Sequence, residues 1–322
     1  MGAERGSPMR FTKIRAPEFD LEKTLNSGQV FHWKKVGDGF VGAVGDRALY
    51  LEQRGEFLKV RDGEPPLRLR SGQATPTGER RALRGIVEHY FALDHPLAEI
   101  CDSLPKDPLM NAARGFCQGL RIIRQPKWEC LATFICSSMK QVAHIRQISL
   151  ALRKRFGEQR RIDGQLVYTF PSPRRVAVAS ETELRDCKLG YRAKNLRATA
   201  RLVSAGQAHL ETWSALCDAE LRKQLCALPG VGPKIANCVM LFAYERLRAF
   251  PIDVWIERVL KQHYFSRRKK MTAQRLRLFS ETYFGEHGGY AQQYLFHHAR
   301  MSSRRDGETC SHPERPQRSR GD

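Results

Sequence analysis

The chain has 322 residues, with 55 Lys and Arg against 34 Asp and Glu, a formal charge of +21 at pH 7. Hydrophobic residues at 41% and charged residues at 28% suit a folded protein with room for about two domains, and the cationic surplus points to a polyanionic partner. No apolar run approaches the ~20 residues of a membrane span, and the first residues, MGAERGSPMRF, carry neither the apolar core of a secretory signal nor a myristoylation pattern.

Residues 1–17 read as an extension. Residues 30–36, 39–53 and 56–61 are rich in aromatic and β-branched side chains. Gly-Asp-Gly at 37–39, Gly-Asp at 45–46 and Arg-Gly at 54–55 punctuate them. That pattern predicts a small antiparallel meander within a first domain, 18–105. Residues 65–79 are polar with Gly and Pro and predict an exposed loop. From Arg80 the apolar period becomes helical. Helices are expected at 80–93, 107–119, 127–138, 140–155, 192–205, 211–228, 233–246, 253–263, 272–284 and 288–301, which gives a helical region over 106–300. The tail, 301–322, is expected to be disordered. The fold class is therefore α+β, mainly α. Basic groups recur at 121–124, 140, 153–155, 192–197 and 267–270, and predict a cationic face. Nine cysteines, no two spaced C-x-x-C, predict reduced thiols and neither structural zinc nor a four-Cys cluster.

The most informative run is Leu228-Pro-Gly-Val-Gly-Pro-Lys234-Ile-Ala. An apolar helix ends before it. Gly230 and Gly232 allow a tight turn with positive φ, and Pro233 sits at the favoured first position of a new helix. This is the pattern of a helix–hairpin–helix, whose turn presents backbone N–H groups to a phosphate. Lys234, second in the new helix, opposes the helix dipole. That field lowers an amine's pKa and suits a nucleophile; the plainer alternative is a surface Lys. Cys238 and Phe242 follow at i+4 and i+8 on the same face. Nineteen residues after Lys234 comes Asp253, in Pro251-Ile-Asp-Val-Trp255. It stands before an amphipathic helix, as an N-cap, a carboxylate partner for Lys234, or both.

The chain resembles the helix–hairpin–helix–Gly/Pro–Asp (HhH-GPD) DNA glycosylases, and among them the 8-oxoguanine DNA glycosylases over roughly residues 18–300. The likeness rests on the hairpin with its Lys and Asp and on Ser27-Gly-Gln-Val-Phe-His-Trp33, Gln125-Pro-Lys-Trp-Glu-Cys-Leu131, Phe134-Ile-Cys-Ser-Ser138, Leu189-Gly-Tyr-Arg-Ala193 and Tyr290-Ala-Gln-Gln-Tyr-Leu-Phe296. It implies a TBP-like antiparallel β domain followed by helical HhH-GPD domains. It also implies that Lys234 attacks C1′ of the damaged nucleoside to give a Schiff base, with Asp253 stabilising the cationic sugar and an associated AP lyase step. The base, flipped from the stack, would lie between Cys238 and Phe296. Gln292 would meet its Watson–Crick edge, Phe242 would line the pocket, and the carbonyl of Gly28 would accept the N7–H that guanine lacks. Tyr191 is implied as the wedge and Arg192 as a reader of the opposite cytosine.

Three positions depart from eukaryotic members. Met139 stands where they have the first of three Asn, His144 replaces an Arg that bonds cytosine, and Trp255 replaces a His that touches phosphate. Weaker preference for cytosine is expected, as in bacterial members with Met at the plug. The family also implies a backbone-carbonyl cation site near Cys226, Leu228 and Val231, no cofactor, a monomer, and duplex DNA containing oxidised guanine as partner. It implies no membrane association and a place in the bacterial cytoplasm or nucleoid, or in a eukaryotic nucleus. An alkylpurine glycosylase and a catalytically silent damaged-DNA binder are the alternatives; both conflict with a hairpin Lys paired with Asp253.

Overall fold

A computed structural model describes residues 11–63, 76–137, 141–265 and 271–305. Five antiparallel strands form the N-terminal sheet, in the order β1 (Thr12–Arg15), β5 (Phe57–Asp62), β4 (Arg47–Arg54), β3 (Gly39–Val44), β2 (Lys34–Val36). Alternation sends successive side chains of β4 to opposite faces. Leu49 and Leu51 join Ile14, Leu58 and Val60 beneath Trp33, Tyr90 and Phe91. Ala48 and Tyr50 point the other way. That second face is covered by a hairpin from the helical region, β6 (Gln159–Ile162) and β7 (Gln165–Tyr168), through Ile162 and Val167. Its turn, Asp163-Gly164, has φ of +48° and +72°, the paired left-handed geometry that Asp-Gly favours in two-residue hairpins. The Arg61–Asp163 ion pair, 2.6 Å, ties turn to sheet.

The meander is as expected, with β1 added at its edge, but the first strand is shorter than 30–36. Residues 30–33 are buried yet pair with no strand. Their flanking carbonyls are taken by side chains instead: Gln125 Nε2 donates to Gln29 (2.8 Å) and Arg146 to Trp33 (2.6 Å).

After α1 (Leu21–Asn26), the helices are α2 (Pro76–Tyr90), α3 (Leu97–Ser103), α4 (Pro108–Phe116), α5 (Lys127–Cys136), α6 (Val142–Phe156), α7 (Pro173–Val178), α8 (Glu181–Leu184), α9 (Arg192–Ser204), α10 (Asp218–Cys226), α11 (Pro233–Tyr244), α12 (Val254–His263), α13 (Ala273–Tyr283) and α14 (Gly288–Arg305). The expected loop 65–79 is corrected at its end. Pro76 opens α2 four residues before Arg80, as a Pro with no N–H to satisfy can; residues 64–75 lie outside the described set. The single helix expected over 211–228 is two pieces, Thr212–Ala215 and α10. Leu216 is extended between them, and Arg246 donates to the carbonyls of Ser214 and Leu216.

The buried apolar residues of α3–α14 form one large core. Not all of the expected cationic face is surface. Arg121 and Arg153 are 3% and 2% exposed. Arg121 donates to the carbonyls of Ala92 and His95, and Arg153 pairs with buried Glu129. The described cysteines are all free thiols.

Candidate active site

The hairpin joins α10 to α11 through residues 227–232. Val231 N–H closes the turn on the Leu228 carbonyl at 3.1 Å. Gly230 has φ +81°, and a Cβ there would lie 2.8 Å from Asn195 Cβ on α9, so both its conformation and its space require glycine. Gly232 corrects the expectation of two left-handed glycines. Its φ is −102° and its ψ 179°; it is the N-cap of α11, and its carbonyl accepts Ala236 N–H at 2.9 Å. Cys226, Leu228 and Val231 all sit at this turn. The Leu228 carbonyl accepts this one bond and keeps a second lone pair.

Lys234 follows Pro233 in the first turn of α11 and is half-buried. Its Nζ lies 5.4 Å from the centre of the Phe134 ring, and Cys238 stands one turn on, where the charge of Lys234 acts on its thiol. Phe242, a further turn along, stacks on Phe134 with ring centres 5.5 Å apart and planes 7° from parallel. Asp253 is the N-cap of α12, its Oδ1 accepting Ile256 N–H at 2.8 Å. Burial pushes its carboxyl up from the usual range, against the Ile256 N–H and the charge of Lys234, which pull it down. Burial likewise raises the Cys238 thiol, with Lys234 opposing. One amine therefore acts on both acids. The loop that returns Asp253 to the hairpin is held by Asn237 Nδ2 donating to the Phe250 carbonyl (3.3 Å) and by Gly289 N–H on the Leu247 carbonyl (2.7 Å).

A second wall comes from the turn after α1 and from α14. Gly28 has φ +90°, and a Cβ there would lie 2.9 Å from both Phe296 Cε1 and Arg300 Nη1. Its neighbours' carbonyls are each taken by a side chain: Asn26 by Arg300 Nη2 (2.5 Å), Ser27 by Gln293 Nε2 (3.0 Å) and Gln29 by Gln125 Nε2 (2.8 Å). The Gly28 carbonyl accepts no hydrogen bond among the described residues. The Gln29 amide braces the turn by donating to Ser27 Oγ and the Arg121 carbonyl while accepting Ile123 N–H. Gln292, 5% exposed, has an Oε1 with no partner among the described residues. Buried polar atoms of this kind need an explanation, and a polar ligand supplies one. The two walls are joined: Gln125 N–H donates to the Phe242 carbonyl at 2.7 Å, and Phe31 meets Phe134 edge-on at 6.5 Å.

Sequence reasoning missed Gln29, Gln125, Gln293 and Arg300. Gln29, Gln125 and Gln293 lie in the runs that carry the family likeness, and that was the available signal; Arg300 had none.

The outer rim carries the remaining residues. Tyr191 is 60% exposed at the start of α9, its ring 4.3 Å from the Arg192 guanidinium, which is buried and donates to the Leu189 carbonyl. The preceding turn holds Lys188 at φ +66° and Gly190 at +57°. His144 is exposed in the first turn of α6. Trp255 packs partly on the core with Arg258 5.8 Å from its ring. Met139 lies outside the described residues.

Residues 132–282 match the HhH-GPD superfamily of base-excision DNA repair proteins, and residues 12–131 match the 8-oxoguanine DNA glycosylase N-terminal domain. Hairpin, Lys and Asp thus sit in a base-excision glycosylase fold. The chain is 30% identical over 308 residues to the N-glycosylase/DNA lyase OGG1 of Arabidopsis thaliana, covering 90% of this chain and 80% of that one. It superposes on MBOgg1 in complex with a low-affinity DNA ligand with a TM-score of 0.81, at 31% identity and with 92% of this chain and all of that one covered. The Clostridium acetobutylicum 8-oxoguanine glycosylase/lyase, solved on duplex DNA with cytosine opposite 8-oxoguanine, gives 0.80 at 27% identity, covering 89% and 93%. The chain belongs to the 8-oxoguanine DNA glycosylase family and is an N-glycosylase/DNA lyase of that family.

Proposed function

We propose that Lys234 and Asp253 carry out excision of 8-oxoguanine from duplex DNA in this chain, with the base received between Cys238 and Phe296. The Lys234 amine bonds C1′ as the C1′–N9 bond breaks and its electron pair leaves with the base. The new ammonium then loses a proton, and ring opening gives the Schiff base. Loss of a C2′ proton and of the 3′ phosphate completes the lyase step. Asp253 stabilises the cationic sugar from the opposite charge. The observation that carries this reading is Lys234 in the first turn of α11, its Nζ 5.4 Å from the Phe134 ring and its charge acting on both Cys238 and buried Asp253, one wall away from an unshared carbonyl at Gly28. That carbonyl accepts the N7–H of 8-oxoguanine and opposes the N7 lone pair of guanine, two acceptors that cannot bond. The hairpin N–H groups hold a backbone phosphate, and the carbonyls near Cys226, Leu228 and Val231 would hold a cation that adds positive charge there. Tyr191 wedges the stack. The protein acts as a monomer on duplex DNA; among the described residues no helix is long and apolar enough to cross a membrane.

Borohydride trapping tests the reading. Wild type forms a covalent adduct with an 8-oxoguanine duplex. Lys234→Gln loses the adduct and at least about a thousandfold in excision rate while still binding the duplex. An adduct surviving in Lys234→Gln removes Lys234 from its role.

A further inference from the structure

We propose that Gln29 is a specificity-determining positioning residue: it keeps the Gly28–Gln29 peptide from turning over, and so keeps an acceptor, not a donor, towards N7 of the flipped base. The proposal rests on the pocket assignment above and deepens it.

That peptide has no hydrogen bond of its own. Among the described residues the Gly28 carbonyl accepts none and the Gln29 N–H donates none. Its orientation is therefore set by what flanks it. On one side Gln293 Nε2 holds the Ser27 carbonyl at 3.0 Å, and on the other Gln125 Nε2 holds the Gln29 carbonyl at 2.8 Å. The Gln29 side chain, fully buried, is fixed through both atoms of its amide. Nε2 donates to Ser27 Oγ at 3.0 Å and to the Arg121 carbonyl at 2.8 Å, and Oε1 accepts Ile123 N–H at 2.8 Å. With both neighbouring peptides and this side chain held, one motion is left. The Gly28–Gln29 plane can rotate about the line joining its two Cα atoms, which changes ψ of Gly28 and φ of Gln29 together.

Gly28, already at φ +90°, tolerates the change, because glycine has no Cβ to clash. Gln29 does not. It is not among the non-glycine residues with positive φ, and half a rotation carries its φ into the positive range, which an L side chain resists. The chemistry of the turned-over peptide is inverted. The Gln29 N–H would stand where the Gly28 carbonyl stood, bonding the N7 lone pair of guanine and opposing the N7–H of 8-oxoguanine. Both bases are neutral, so the charges of Lys234 and Asp253 do not separate them by net charge. Gly28 thus supplies the acceptor, and a side chain at position 29 keeps it facing the base.

The test compares wild type, Gln29→Ala and Gln29→Gly. The two variants lose the same hydrogen bonds and differ in backbone freedom. Single-turnover excision of 8-oxoguanine and of guanine is measured in otherwise identical duplexes, both opposite cytosine. Strand cleavage at a preformed abasic site, which needs Lys234 but no base, is measured alongside. The preference for 8-oxoguanine over guanine falls about tenfold in Gln29→Ala and about tenfold further in Gln29→Gly. Abasic-site cleavage in the two variants agrees within about threefold. Equal preference in the two variants, or an abasic-site rate that falls in step with excision, overturns the proposal and leaves Gln29 as a packing residue. Should either variant fail to fold on thermal melting, Gln125→Met releases one flank of the peptide with Gln29 in place. Its preference then falls about tenfold, and a wild-type value overturns the proposal. A wild type with no preference for 8-oxoguanine strikes the pocket assignment, whereas a wild-type preference with equal Ala and Gly variants strikes Gln29 alone.

Discussion

On the lesion side, successive backbone carbonyls are held by side chains buried from solvent: Arg300 on Asn26, Gln293 on Ser27, Gln125 on Gln29. On the duplex rim, Tyr191 and His144 stand out in solvent and the turn before α9 carries a non-glycine residue, Lys188, at positive φ. The first region pairs most of its backbone carbonyls, and among the described residues the Gly28 carbonyl and Gln292 Oε1 keep unmet acceptor capacity. The second keeps the Tyr191 and His144 side chains exposed to solvent. On the proposed assignment, base choice would rest on geometry that cannot change without cost to the fold, and reading of the opposite strand on a few side chains that can. Wall substitutions should move stability and activity together, and rim substitutions should move preference alone.

The most damaging way to break the wall away from the catalytic groups is Glu129→Ala. Glu129 and Arg153 form an ion pair with side chains 11% and 2% exposed. His32 Nδ1 lies 3.7 Å from Glu129, and its Nε2 is hydrogen-bonded to the Ala43 carbonyl at 2.8 Å. Burial, then the charge of Arg153, holds His32 well below its usual value, and an imidazole in either form brings no negative charge to replace Glu129. Removing Glu129 strands the Arg153 cation, which costs about 3–5 kcal/mol and on the order of 10 °C in melting temperature. The double replacement Glu129→Leu with Arg153→Met removes both charges and should recover most of that loss. A single variant that melts like wild type would show that the wall does not depend on this pair.

The rim prediction is one of preference. With Met139 in place of the gap-entering Asn and His144 in place of the cytosine-bonding Arg of eukaryotic members, excision of 8-oxoguanine opposite C, A, G and T should stay within about a hundredfold, less than about 2.7 kcal/mol. His144→Arg should sharpen preference for C while the melting temperature stays put. A wild-type drop beyond a hundredfold away from C refutes the weak-reader assignment, and a His144→Arg variant that melts low refutes the separation of rim from wall.

How much of this was legible in sequence follows from how far each contact reaches. Lys234, Cys238 and Phe242 share a helix face, so local periodicity aligned them, and Asp253 declared itself as an N-cap. The wall was legible only as motif. Its clamps join residues 96, 266 and 274 positions apart, and no local pattern carries such pairings. The β6–β7 hairpin is the opposite case. Asp163-Gly164 between Ile162 and Leu166 is a local turn signal, overlooked because helical patterns flank it on both sides. Gly232 failed for a third reason: two glycines in one turn look alike in sequence, but only Gly230 has a neighbour, Asn195, in the way of a side chain.

The smallest effect expected lies at the far end of α11. Glu245 caps that helix at φ +56°. Its carboxylate is bonded to His95 Nε2 at 2.5 Å and pairs with Arg124, which also takes Asp94 at 2.6 Å. Partial burial would raise the Glu245 carboxyl, but the hydrogen bonds from His95 and Arg124 win and hold it at about 2. The Arg124 hydrogen bonds hold Asp94 at about 2 as well. Both groups bind protons more weakly in the folded protein than in the unfolded chain. Their stabilisation is thus complete above the ordinary carboxylate range and is lost as pH falls from about 4.5 towards 2. Glu245 is 38% exposed and Asp94 67%, so solvent screening keeps the contribution near 1 kcal/mol. Glu245→Gln isolates it, because Gln bears the same positive φ and the backbone strain cancels. Stabilities from urea unfolding of wild type and variant should differ by about 1 kcal/mol at pH 7 and converge only as pH falls to about 2. A gap that persists in acid would assign the effect to packing, and would place this end of α11 with the wall and not with the rim.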